Sequence, residues 1–227
     1  MEITWLGQAG LLLQKDGFTI MADPYLSNSV REINPENYRR VPVSKEIFNI
    51  KPDVMIFTHN HLDHYDPETV QKFINTDTSV TVLAPSSVWH DVRKYGGKNN
   101  FVQFDRRTSW TENGIRFTAV KAVHSDTYAI GVIIDDGNKK YYITGDTLYN
   151  DDIFADLPDD IYCVFLPVNG VRNNMNMQDA KNFCERINPS FAVPLHCGMF
   201  DNIDMNNFDF RHKIVPEIYK EVILKCK

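Results

Sequence analysis

Four apolar runs in this chain stop at a histidine or an aspartate. "VMIFT" stops at His59, "FTAVKAV" at His124, "YYITG" at Asp146 and "FAVPL" at His196. Runs of four or more apolar or β-branched residues read as buried strands. Strand ends collected at one sheet edge are where α/β folds build sites. The fold must therefore carry several strands whose polar ends converge. The first run continues into "THNHLDH", so three of the chain's seven histidines fall within residues 58–64. A lone histidine is usually a surface or hydrogen-bonded core residue. Three at this spacing, with partners at other strand ends, favour a site.

The rest of the chain alternates in the same way. "EITWLG" and "GLLLQKDG" are β-like, and Asp16-Gly17 is a hairpin signal leading into "FTIMADP". After "DVMIFTH", Asp66 and Pro67 mark a helix start at "DPETVQKFIN". "VTVLA" is a strand, "PSSVWHDVRKYG" a helix ending at glycine and "NFVQF" a strand. A meander follows, with Asp136-Gly137 as a turn. Then come the strand "IYCVFLPVN", the amphipathic helix "NMQDAKNFCERIN", the strand "SFAVPLHC" and a terminal helix within "RHKIVPEIYKEVILK". Residues 24–50 form a long polar connector, a length typical of lids and binding loops. Two packed sheets with helices outside, in one unit spanning 1–227, are expected.

Composition narrows the partners. The 227 residues are 43% hydrophobic, which suits a sizeable core. A net charge of −6 argues against general nucleic-acid binding. The sequence shows neither a signal-peptide pattern nor an apolar run near a membrane span. The four cysteines, Cys163, Cys184, Cys197 and Cys226, have no CxxC spacing. A cytoplasmic protein with reduced thiols, not bound to membrane, is expected. Homo-oligomerisation is left open. Cys197 adjoins His196, but neighbours on a strand point to opposite faces, so a packed thiol is expected.

Imidazole and carboxylate donors suit zinc, manganese or ferrous iron. Two divalent ions, zinc or manganese ahead of iron, would need about seven protein ligands. His59, His61 and His124 can hold one ion. Asp63, His64 and His196 can hold the other, with Asp146 bridging. A hydroxide between two such ions is a nucleophile at neutral pH, making Asp63 and Asp146 the catalytic carboxylates.

"THNHLDH", "VH" at 123–124, "TGDT" at 144–147 and "PLH" at 194–196 resemble the metallo-β-lactamase superfamily in order and spacing. The resemblance implies an αββα sandwich, two mixed β-sheets flanked by helices, with a dinuclear site at one edge. "DHYD", "WLGQAG", "ADPYL", "PVNG" and "PLHCGMFDN" look like the L-ascorbate 6-phosphate lactonase-like branch. That likeness implies site-supporting roles for Asp23 and Asn202. Gln8 stands where phospholipase-like relatives often have histidine. The oxygen-reducing diiron branch typically has glutamate where this chain has His61.

The expected activity is metal-dependent hydrolysis of a small anionic ester, such as a sugar-phosphate lactone or a phosphodiester. A nuclease of the same superfamily and a non-catalytic metal-binding or sensor module are the alternatives. Tyr25, Arg31, Arg39 and Arg40 of the long connector, with Arg172 of "NGVRNN" and Asn202, are candidates to grip the anion. Each arginine has solvated surface charge as its plainer explanation. Asn173, Asn174 and Asn176 suit turns as well as substrate contacts. His90 and His212 are left outside the site.

Overall fold

Side chains that alternate in direction along buried strands divide the central strands between two cores. On β1 (Glu2–Gly7), β2 (Gly10–Lys15), β3 (Phe18–Ala22), β4 (Val54–Ile56), β5 (Thr81–Ala84) and β6 (Asn100–Gln103), one sheet forms in sequence order. The second contains β7 (Ser109–Glu112), β8 (Ile115–Lys121), β9 (Ile130–Asp135), β10 (Lys140–Ile143), β11 (Ile161–Pro167) and β12 (Phe191–Leu195), in order β12-β11-β10-β9-β8-β7. Both are mixed: β1–β3 and β7–β10 pair antiparallel, while β3–β6 and β10–β12 pair parallel. The computed structural model describes residues 1–225.

Leu11, Leu13, Ile20 and Ile56 of the first sheet meet Phe117, Val132, Ile143 and Phe165 of the second in the central core. Their neighbours Leu12, Met21 and Met55 face outward onto α2 (Pro67–Phe73) and α3 (Ser86–Val92). Ile133, Tyr142 and Val164 likewise face Ala180, Phe183 and Cys184 of α4 (Met177–Ile187). This gives the helix–sheet–sheet–helix layering expected from the motifs. Each fully buried aliphatic or aromatic side chain contributes about 1.5–3 kcal/mol. Asp66 caps α2 through Glu68 N and Thr69 N, and Asn176 caps α4 through Gln178 N and Asp179 N. No helix among the described residues is long and apolar enough to cross a membrane.

The segment expected to be a terminal helix is not helical. Residues 211–225 run irregularly along both sheet edges. Ile214 N–H donates to Ala192 O at 2.9 Å, Tyr219 N–H to Trp5 O at 2.8 Å and Val222 N–H to Ile3 O at 2.7 Å. β12 and β1 are edge strands with unpaired backbone groups, and satisfying them outweighs the segment's helical spacing. The connector 24–50 contains α1 (Ser29–Ile33) and a 3₁₀ turn at Lys45–Asn49. Cys163, Cys184 and Cys197 are free and buried, and burial pushes the Cys197 thiol up to about 12. Cys226 lies outside the described residues.

Candidate metal centre

The carboxyl ends of β4, β8, β10 and β12 deliver His59, His124, Asp146 and His196 to one rim. Gly145 permits the close approach of two of these ends. Its φ is +60°, and a Cβ there would stand 2.8 Å from Thr58 Cβ. After β4 the chain turns sharply, with His64 N–H and Tyr65 N–H both donating to His61 O at 3.0 and 2.8 Å. The turn puts His61 and His64 on different sides of His59.

Three overlapping groups result. His59, His61 and His124 form one; His59, His64 and Asp146 the next; Asp63, His64 and His196 the third. Within each, candidate donor atoms lie within 4.8 Å of one another. His61 Nδ1 is 3.1 Å from His124 Nε2, and His64 Nε2 is 3.1 Å from His196 Nε2. Asp146 joins the sides: Oδ1 lies 3.3 Å from His64 Nε2, and Oδ2 lies 3.1 Å from His196 Nε2 and 3.9 Å from His124 Nε2.

The surrounding hydrogen bonds orient these rings. Asp23 is fully buried; its Oδ1 accepts from Thr58 N at 2.8 Å. Its Oδ2 accepts from Thr58 Oγ1 at 2.6 Å and His64 Nδ1 at 2.8 Å. Having donated to Asp23, the Thr58 hydroxyl can accept His59 Nδ1–H, 3.0 Å away. That tautomer leaves a lone pair on His59 Nε2, which is buried and has no hydrogen-bond partner among the described residues. His124 Nδ1–H donates to Asn173 O at 3.1 Å, freeing its Nε2 in the same way. A donor set of imidazoles and carboxylates with an orphaned imidazole nitrogen fits a divalent cation.

Electrostatics divide the site. Burial, reinforced by His64, holds the His59 pKa well below the ordinary histidine value. Burial also lowers His61 and His124. Burial alone would lower His64 too, but Asp146, Asp23 and Asp63 outweigh it and hold His64 well above the ordinary value. His196 is raised against burial by Asp146 and Asp63, to about 9. Asp63 and Asp146 resist the upward push of burial and lie below the usual carboxylate range, with His64 and His196 as their stabilising neighbours.

Ser125, Val171, Arg172, Asn174 and Phe200 complete a cleft over the candidate ligands, with an inner space of about 40 Å³. That is comparable with the space that one or two waters fill. Of the residues expected to grip substrate, Arg172 alone lines this cleft. Tyr25 is fully buried beside Val30 and Met199, and its hydroxyl accepts from Val30 N. Arg39 is buried and donates to Tyr25 O, Leu6 O and Tyr219 OH. Arg31 and Arg40 lie over the Tyr38 ring at 5.4 and 3.8 Å. Asn202 is exposed; its neighbour Asp201 accepts from Asn169 Nδ2, which is 3.2 Å from His196 Nδ1. The connector 24–50, whose length suits a binding loop, contributes no residue to the cleft among the described residues.

Sequence reasoning missed Thr58, Asn169 and Asp201. Thr58 adjoins His59 and Asn169 follows β11, so strand-end position was the available signal. Asn174 donates to Asp146 Oδ2 at 3.0 Å, resolving its ambiguity towards the site. His90 lies on α3, and His212 Nδ1–H donates to Ser190 O, both away from the cleft.

A family model described as the beta-lactamase superfamily domain matches residues 19–197. The chain belongs to the beta-lactamase superfamily. The match covers His59 through His196, and so every candidate ligand of this superfamily member. A UPF0173 metal-dependent hydrolase of Methanosarcina mazei is 28% identical, covering 99% of this chain and 95% of that protein. Another, from Thermoplasma acidophilum, is 28% identical and covers 98% of each. In fold, the chain is similar to Igni18, a metallo hydrolase from Ignicoccus hospitalis. The TM-score is 0.79 at 20% identity, over 100% of this chain and 99% of that one.

Proposed function

We propose that this protein is a metal-dependent hydrolase that uses two divalent cations to cleave a small anionic ester, such as a sugar-phosphate lactone or phosphodiester. The observation carrying the reading is the partnerless His59 Nε2 inside a convergent set of imidazoles and carboxylates. His59, His61 and His124 would hold one ion, and Asp63, His64 and His196 the other, with Asp146 shared. The nitrogen–oxygen donor set favours zinc or manganese. Bound cations of this kind act as Lewis acids and make water nucleophilic near neutral pH.

The chain's own groups supply binding and orientation. Asp23, Thr58 and the Asn173 carbonyl fix ring tautomers before any ligand arrives. Asn174 steadies Asp146 from the cleft side. Exposed at the mouth, Arg172 offers bidentate contacts to a carboxylate or phosphate while the scissile group lies deeper. Val171 and Phe200 provide apolar walls that exclude water from that contact.

The test is metal analysis of protein purified without chelator, followed by turnover of a lactone and phosphodiester panel with the metal found. Two equivalents of metal and chelator-sensitive turnover are expected. Metal-free protein that hydrolyses the panel would overturn the reading. Stoichiometric metal without turnover of any ester would favour a sensor module instead.

A further inference from the structure

Arg39 and Arg40 do not reach the metal cleft; they line a separate cavity of about 200 Å³ with Trp5, Gln8, Gly198 and Ile218. Gln8 stands between the two places. Its Nε2 donates to Asp63 Oδ2 at 3.0 Å and lies 3.1 Å from His196 Nε2. We propose that this cavity is a second binding site, for a small carboxylate with an apolar body.

Charge is the first argument. Among the described residues the lining carries two guanidinium groups and no acidic side chain, in a protein of net charge −6. Arg39 is 8% exposed, and its hydrogen-bond partners are neutral: two backbone carbonyls and the Tyr219 hydroxyl. Removing a cation from water without a counter-charge costs several kcal/mol. A bound anion supplies that counter-charge.

An unmet donor is the second argument. Among the described residues Arg39 Nε–H is buried without a partner, and an anionic oxygen can accept from it. Buried polar groups of native proteins are nearly always paired. The backbone is also shaped around the guanidinium. Gly7 has φ +95°, and a Cβ there would stand 2.8 Å from Arg39 Nη2 and 2.9 Å from Ile218 Cδ1.

The remaining walls select the ligand. Trp5, Val41, Met199 and Ile218 offer apolar surface, suited to a hydrocarbon or aromatic body. A phosphate presents acceptor oxygens on every side, and those facing Trp5, Val41, Met199 and Ile218 would be buried unpaired, whereas a carboxylate confines its charge to one end. A monocarboxylate needs one fork, and the exposed Arg40 guanidinium, held by Gly198 O at 3.0 Å, is placed to provide it.

Calorimetric titration of the purified protein with benzoate, benzamide and inorganic phosphate tests the assignment, before and after chelation. Crystals soaked in 4-bromobenzoate locate the ligand by bromine scattering. Benzoate is expected to bind equally with and without metal, with bromine in the Arg39–Arg40 cavity. Benzamide and phosphate should not bind there. Arg40→Gln should weaken benzoate binding about tenfold through loss of a charge-assisted contact. Ile218→Trp, which fills the cavity, should abolish it. Arg39 is left intact because it ties the connector to Leu6 and Tyr25. Binding that disappears on chelation, equal binding of benzamide, preferential binding of phosphate, or a cavity holding only ordered water would each overturn the proposal.

Discussion

Asp23 and His64 share a 2.8 Å hydrogen bond in which neither side chain reaches water. The bond uses His64 Nδ1 and leaves Nε2 directed at His196 and Asp146. Asp23→Asn keeps the shape but removes the charge, and its amide NH₂ can no longer accept from both His64 and Thr58. Metal affinity is expected to fall about 10–100-fold, the usual cost of losing a carboxylate behind a ligating histidine. Competition with a chromogenic chelator measures this. Unchanged affinity with an intact fold would remove Asp23 from the site.

The site's charges also set a pH profile for chelated protein. His196 is raised to about 9, and His64 is raised well above the ordinary histidine value of 6.5. Their stabilisation is complete below about 6.5 and is lost as pH climbs through the folded-state values. His59, His61 and His124 are depressed, so the unfolded chain takes up protons first, and stability falls as pH drops below about 6.5. The melting temperature of chelated protein should therefore peak near pH 6.5 and decline on both sides. A monotonic rise between pH 6.5 and 9 would contradict the raised values.

Arg172 is the arginine at the mouth of the metal cleft, whereas Arg31 lies over Tyr38. Arg172→Ala should raise KM for a charged ester about tenfold or more and leave a neutral version of the same ester little changed. Arg31→Ala should alter neither. Equal effects of Arg172→Ala on both esters would deny it an anion-binding role.

Gly145 is the contact between two strand ends. Gly145→Ala combines φ +60° with a Cβ 2.8 Å from Thr58 Cβ and 2.9 Å from Ile130 O, both hard to displace. Destabilisation of about 1–3 kcal/mol is expected from the overpacking, read by denaturant titration. Metal affinity should fall as well, because Thr58 orients His59 and Asp23. A variant as stable as the parent would show that the rim relaxes freely.

Much was legible in the sequence because buried strands are written as apolar runs that end at identifiable polar residues. "GLLLQ" and "VMIFT" mark such strands, and His59, His124, Asp146 and His196 mark where strands stop. Only the packed sheets show that Leu11 and Leu13 face one core and Leu12 the other. Local chemistry likewise announced Asp66 and Pro67 as a helix start. Long-range contacts decided the rest. Nothing near Arg39 says that Leu6 and Tyr25 carbonyls will enclose its guanidinium, and nothing near Arg172 says that it will stand over the cleft. Residues 211–225 read as a helix, yet two sheet edges distant in sequence capture them as irregular chain. A charged side chain or an unpaired strand edge has many partners of nearly equal local merit. The packed sheets alone determine which of them is within reach and shielded from water.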